Sequence, residues 1–137
     1  MLIRNAVICD VNGEREADVR VEDGIITEIG TELKGEESVD AKGAYLLPSL
    51  VDTNVRLLDS TLNAKNIKTI RQEAKNGGVG HIVLNADSTP SIDNEIVLEF
   101  AQHGTDQESD VKVDLTLNAL QEDMTLSNIA ILLKKGA

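Results

Sequence analysis

The sequence predicts an α/β protein, with a small β unit first and strands alternating with helices after it. Three observations point there. Before Tyr45 the chain carries short alternating runs joined by turn dipeptides, most clearly EADVRVE-DG-IITEIG. From Tyr45 onward near-continuous apolar runs take over, as in AYLLPSLVDTNV and VGHIVLNA. Between those runs lie segments of helical period closed by glycine. Strands that alternate with helices build parallel βα units.

Each element has its own warrant. LIRNAVICD reads as the first strand and ends at a turn around Asn12-Gly13. Over residues 16–22, Ala17, Val19 and Val21 alternate with Asp18, Arg20 and Glu22, which puts an apolar face against a polar one. Asp23-Gly24 is a two-residue hairpin loop, because both residues tolerate positive φ, and IITEIG pairs back across it. A short strand follows near Ser38–Asp40, with a turn at Lys42-Gly43. These strands are too short to hold a core alone. AYLLPSLVDTNV then reads as a strand buried on both faces, the habit of parallel sheets. LNAKNIKTIRQEAKNGG sets Ile67, Ile70 and Ala74 at i, i+3, i+7, and Gly77-Gly78 stop that helix. VGHIVLNA (79–86) is the second buried strand. Asp93 is the expected cap of a helix carrying Ile96, Val97, Phe100 and Ala101 and closed by Gly104. HGTDQESD is a polar loop, and VKVDLTLNA (111–119) is the third strand. Ser127 is the expected cap of a last helix with Ile129, Leu132 and Leu133, ended by Lys134-Lys135-Gly136. Functional groups in such units gather at the C-terminal ends of the strands, here residues 52–58, 85–87 and Asn118.

Composition removes several function classes. The formal net charge is −11, with 24 acidic against 13 basic residues, which opposes binding to nucleic-acid phosphates. One Tyr, one Phe and no Trp leave no platform for stacking bases. Cys9 is the sole cysteine, so neither an intrachain disulfide nor a thiolate zinc cluster forms within the chain, and its apolar neighbours make it a buried strand thiol. MLIRNAVICD lacks the apolar core of a signal peptide, and no run has the length of a membrane span. The expected location is the cytoplasm, with no membrane partner. Asn76-Gly77-Gly78 lacks the Lys-Ser/Thr that completes a phosphate loop.

Three blocks, in order and at fitting spacing, carry a resemblance. The first is LIRNAVICD…GEREADVRVEDGIITEIG, the second VDAKGAYLLPSLVDTNVRL, the third NGGVGHIVLNADSTPSIDN. Together they resemble the dihydroorotase branch of the amidohydrolase superfamily over nearly the whole chain. The second block is similar to the family's Leu-Pro-Gly-(apolar)2-Asp-x-His-x-His-x-Arg signature. The third is similar to its Gly-Gly…Met-Pro-Asn-Thr-x-Pro…Ile-Asp-Asn motif. The fold this implies is a (β/α)8 barrel flanked by a small β domain. The expected division is residues 1–46 for part of the β domain and 47–137 for the first three βα units of a barrel left incomplete. A full barrel needs about 250 residues. The chain is therefore expected to be the N-terminal part of the fold, with an open strand edge covered by self-association or by a second chain.

What the resemblance implies chemically is lost at the matching positions. Family members bind zinc through the two His of the first strand, and the metal activates water and polarises an amide carbonyl. Here those positions are Asn54 and Arg56. Guanidinium offers only donors and stays charged, and a neutral amide oxygen is a poor zinc ligand. The family holds its substrate carboxylate with an Arg and an Asn, and the matching positions are Leu58 and Asp87. Leu58 offers no charge, and Asp87 repels a carboxylate. No catalytic, metal or substrate-binding residue and no cofactor is expected. In the full fold, Arg56 is expected to fill the empty metal position and to pair with carboxylates that would otherwise be ligands. His81 reads as a core histidine bonded to backbone, and His103 as an exposed group at a helix end. The resemblance then implies an inactive dihydroorotase-like protein of pyrimidine biosynthesis, a structural partner of aspartate transcarbamoylase. The alternative is a metal-dependent amidohydrolase, a dihydroorotase or related cyclic amidase, with ligands from strands beyond residue 137. The plainest reading is a folding fragment without a function of its own.

Overall fold

A computed structural model describes residues 1–105 and 109–137. The chain divides into two compact units, Met1–Pro48 and Ser49–Ala137.

The first unit is a five-stranded sheet. Strands β1 (Leu2–Asp10), β2 (Gly13–Glu22) and β3 (Ile25–Gly30) form an antiparallel meander in the order β3-β2-β1, and β4 (Ser38–Asp40) and β5 (Tyr45–Leu46) pair in parallel with β1. The Asp23-Gly24 loop has φ of 51° and 77°, and Lys42-Gly43 has 52° and 79°, the left-handed pairs that tight reversals require. Ile8, Ala17 and Val19 make the small core, with Ile3, Val21 and Leu46 against it. Cys9 is half-buried on β1 rather than enclosed. The strict alternation expected across residues 16–22 fails at Asp18, which is buried. Its carboxylate accepts the backbone N–H groups of Asn5 (2.9 Å) and Leu33 (3.0 Å). Asn5 sits at φ 54°, where the β1–β2 register slips, so its amide needs an acceptor outside the ladder.

The second unit is three successive βα units on a parallel sheet, β6 (Leu50–Val55), β7 (Val79–Leu84) and β8 (Lys112–Leu115), in the order β6-β7-β8. Helix α1 (Ala64–Asn76) follows β6, capped by Asn63, whose side chain accepts from the Asn66 amide, and ended at Gly77. Helix α2 (Glu95–Thr105) follows β7, and α3 (Ile129–Lys134) follows β8. The core lies between sheet and helices: Ile82, Leu84 and Leu115 meet Ile67, Ile70, Leu98, Ala101 and Leu132. Gly80 on β7 lies close against Ser49, the residue before β6, since a Cβ there would stand 2.5 Å from Ser49 Oγ.

Several expectations need correction. AYLLPSLVDTNV is not one strand. Pro48 has no N–H to give to a ladder, and the run splits into β5 and β6, which belong to different sheets. Nor is β6 buried on both faces: Leu50 and Val51 are 62% and 57% exposed, because among the described residues β6 is an edge strand paired with β7 alone. The third strand stops at Leu115, after which Asn118 N–H turns to the Ile92 carbonyl (2.8 Å). Asn94, not Asp93, caps α2, taking the Ile96 and Val97 amides at 3.1 Å, while Asp93 is buried beside it. Asn128, not Ser127, caps α3. On α2 the inward residues are Leu98 and Ala101, while Ile96 and Phe100 face outward. On α3 Leu132 is the buried residue, and Leu133 is exposed. The helix continues one residue past Gly104, and the middle of the polar loop expected over residues 103–110 lies outside the described residues.

Candidate functional site

The strand ends carry the residues of interest. Asn54 is the penultimate residue of β6, Arg56 follows the strand directly, and Asp87 lies three residues past the end of β7. Parallel pairing brings these two ends side by side, and the Asn85 amide N–H donates to the Val55 carbonyl (2.9 Å). Two side-chain pairs then bridge the strand ends. The Asn85 side-chain amide donates to Asn54 Oδ1 (2.7 Å), and Arg56 Nη2 lies 3.2 Å from Asp87 Oδ2. Leu58 is 88% exposed. Asp52 accepts the backbone amide of Asn54 (3.0 Å), which fixes the turn of the strand just before the site.

The donor set does not suit zinc. The Asn54 carbonyl oxygen already takes a hydrogen bond, and the Arg56 guanidinium has no lone pair to offer. A second cation beside that guanidinium is repelled. Within this chain the carboxylate that meets Arg56 is Asp87, from the expected substrate-clamp position. The pair is charge-balanced, so neither member is left to hold an anionic substrate alone. Among the described residues no three of His, Cys, Asp and Glu converge as a metal would need.

Asn85 is the member that motif reasoning passed over. The signal was there: Asn85 and Asp87 stand at the C-terminal end of one strand as Asn54 and Arg56 do at the end of its neighbour, where functional groups of βα units gather.

The two histidines part ways. His81 is not bonded to backbone. It alternates with the buried Ile82, so its ring leaves the helix-side core, and Nε2 lies 2.7 Å from Asp114 Oδ2 on β8. Lys112 stands 3.1 Å from the other oxygen of Asp114. Lys112, and after it His81, hold the Asp114 carboxyl below the usual carboxylate range. His103 is exposed at the end of α2, its Nδ1 2.8 Å from the Glu99 carbonyl oxygen, as expected for a group at a helix C-terminus.

Known proteins place this arrangement in context. No family model matches the chain. The dihydroorotase of Thermoanaerobacter sp. (strain X514) is 33% identical over 143 residues, covering 99% of this chain and 33% of its own length. That of Bacillus pumilus (strain SAFR-032) is 32% identical over 144 residues, with 99% and 33% covered. The chain thus spans about one third of the length of the curated relatives it matches. Among solved structures, the L-hydantoinase (dihydropyrimidinase) from Arthrobacter aurescens superposes with a TM-score of 0.74 at 21% identity, over 89% of this chain and 28% of that one. A D-hydantoinase superposes with 0.70 at 21%, over 98% and 31%. At these identities the structural likeness carries the fold alone.

Proposed function

We propose, from the premise that this chain is a dihydroorotase-like member of the amidohydrolase superfamily, that it is a non-catalytic scaffold with the frame of the enzyme and without its chemistry. The fold is the small β unit and first three βα units of the amidohydrolase barrel.

The observation that carries the proposal is the Arg56–Asp87 pair. A ligand position filled by a fixed cation, and a clamp position filled by an anion that neutralises it, support each other. Either change alone would leave a charge without its partner; together they make a charge-balanced, partly exposed contact that needs neither metal nor substrate. The Asn54–Asn85 pair has the same logic with neutral amides. On the resemblance of the chain to His-less dihydroorotase homologues, the scaffold serves aspartate transcarbamoylase in pyrimidine biosynthesis.

Metal analysis and assay of the purified protein test this reading. The expected result is far less than one equivalent of zinc, no hydrolysis of dihydroorotate with zinc added, and co-elution with the transcarbamoylase on a sizing column. Stoichiometric zinc together with chelator-sensitive hydrolysis overturns it in favour of a metal-dependent amidohydrolase.

A further inference from the structure

The loop between β8 and α3 is built like a contact element. Across residues 119–127 it closes on itself: Ser127 N–H donates to the Ala119 carbonyl, Gln121 N–H to Thr125 and Met124 N–H to Gln121, all at 2.9 Å. Leu120 and Leu126 face each other as antiparallel bridge partners. Asp123 Oδ1 pins the tip, accepting the Thr125 amide at 2.9 Å and the Thr125 hydroxyl at 2.6 Å. A loop tied down in this way loses little further freedom when it meets a partner.

Its apolar side chains are nevertheless left to water. Leu120 is 44% exposed, Met124 73% and Leu126 76%. Met124 also holds φ 68°, in the left-handed region that a long side chain rarely adopts. Single exposed apolar residues are ordinary, but three on one short, self-bonded loop are an organised apolar surface.

Charge identifies what that surface fits. Gln121, Glu122 and Asp123, between the apolar residues, line a cavity of about 370 Å3 together with Asp93 and Asn94. No Lys, Arg or His is among its described lining residues. The Thr125 hydroxyl and amide hold the Asp123 carboxyl below its usual range, so it stays ionised. A second copy of a chain of formal net charge −11 brings like charge to this rim and is disfavoured. A partner with basic residues around an apolar centre is favoured on both counts.

We propose that the 119–127 loop is a docking element for a partner protein whose surface is apolar at its centre and carries lysine or arginine around it. The inference rests on the scaffold reading and names the face such a scaffold would present.

The test is binding of the full chain to the transcarbamoylase, by sedimentation or biolayer interferometry, at low and high salt. Wild type is compared with Met124→Ser/Leu126→Ser, with Glu122→Lys/Asp123→Lys, and with Ile25→Ser, which removes an exposed apolar residue of the β unit. Both loop variants are expected to weaken binding by about tenfold or more, the scale of central contact residues, with Ile25→Ser unchanged and affinity falling as salt rises. A complex that the loop variants form as tightly as wild type overturns the docking inference and leaves the scaffold reading standing. No complex with wild type overturns the scaffold reading and this inference with it. A homodimer broken by the loop variants assigns the loop to self-association and overturns the basic-partner inference.

Discussion

The three parallel strands of the second unit present two unlike sets of side chains. Toward the helices, Ile82, Leu84 and Leu115 are 1%, 0% and 6% exposed, and volume constrains them. Away from that core and at the strand ends stand His81–Asp114, Asn54–Asn85 and Arg56–Asp87, each polar, each partly exposed, and each constrained by one or two polar partners. A packed residue is held by all its neighbours at once, so it resists change. A paired residue is held by one or two groups and can change when they change with it. On the proposed scaffold reading, the difference lets the frame of the sheet stay intact while the paired residues at its strand ends are exchanged.

The largest effect should come from the packed side. Leu84→Ala deletes a side chain with no exposure from the core cluster that holds Ile67 and Leu98, and cores of this kind close only partly around such a cavity. The expected loss is about 2–5 kcal/mol in urea unfolding monitored by circular dichroism. A loss below about 1 kcal/mol, less than an ordinary leucine truncation, would mean that the helix-side core is loosely packed and that the contrast drawn above is false.

The same contrast decides what could be read in advance. The Asp23-Gly24 hairpin and the α1 helix were legible because their causes are local: a dipeptide with positive φ, and apolar residues at helical spacing ahead of Gly77. The caps of α2 and α3 were each misplaced by one residue. Asp93-Asn94 and Ser127-Asn128 both offer two capping side chains in a row, and tertiary burial of the first selects the second. Asp18 was misplaced for a non-local reason, since the amides it serves belong to Asn5 and Leu33. At the site, the departure of Asn54 and Arg56 from the histidine signature that the sequence resembles was legible residue by residue. That Asp87 answers Arg56, and Asn85 answers Asn54, depends on the β6–β7 register, which joins residues 31 apart in the chain.

A double-mutant cycle on Arg56→Ala and Asp87→Ala sharpens the paired side of the comparison. The pair is 69% and 48% exposed, so solvent screens it, and the coupling expected is roughly 0.2–1 kcal/mol. The charge-swapped double variant, Arg56→Asp with Asp87→Arg, should recover most of what either single change loses. Strict additivity, with no recovery in the swap, would show that the two residues are not held by each other and would remove the support they lend to paired exchange.

The smallest effect belongs to Asp114, and its sign follows from linkage. Lys112 and His81 hold the folded carboxyl below its ordinary value of 3.8, so the unfolded chain binds this proton more readily than the folded one. The stabilisation is therefore fully present above that ordinary value and fades as pH falls through the lower, folded one. Asp114→Asn removes both the stabilisation and its pH dependence. Wild type should be slightly the more stable at neutral pH, and the two unfolding midpoints should converge as the buffer is taken below about pH 4. Asp114 is 45% exposed, so the gap should also narrow in high salt. Urea midpoints along a pH series check this directly. Other carboxylates with lowered values, Asp10, Asp40 and Asp123 among them, contribute equally to both proteins and cancel in the difference. A gap that stays constant down the series would mean that Asp114 stabilises by shape rather than by charge. In that case the polar ladder across β7 and β8 would belong with the packed side of the sheet, not with the exchangeable one.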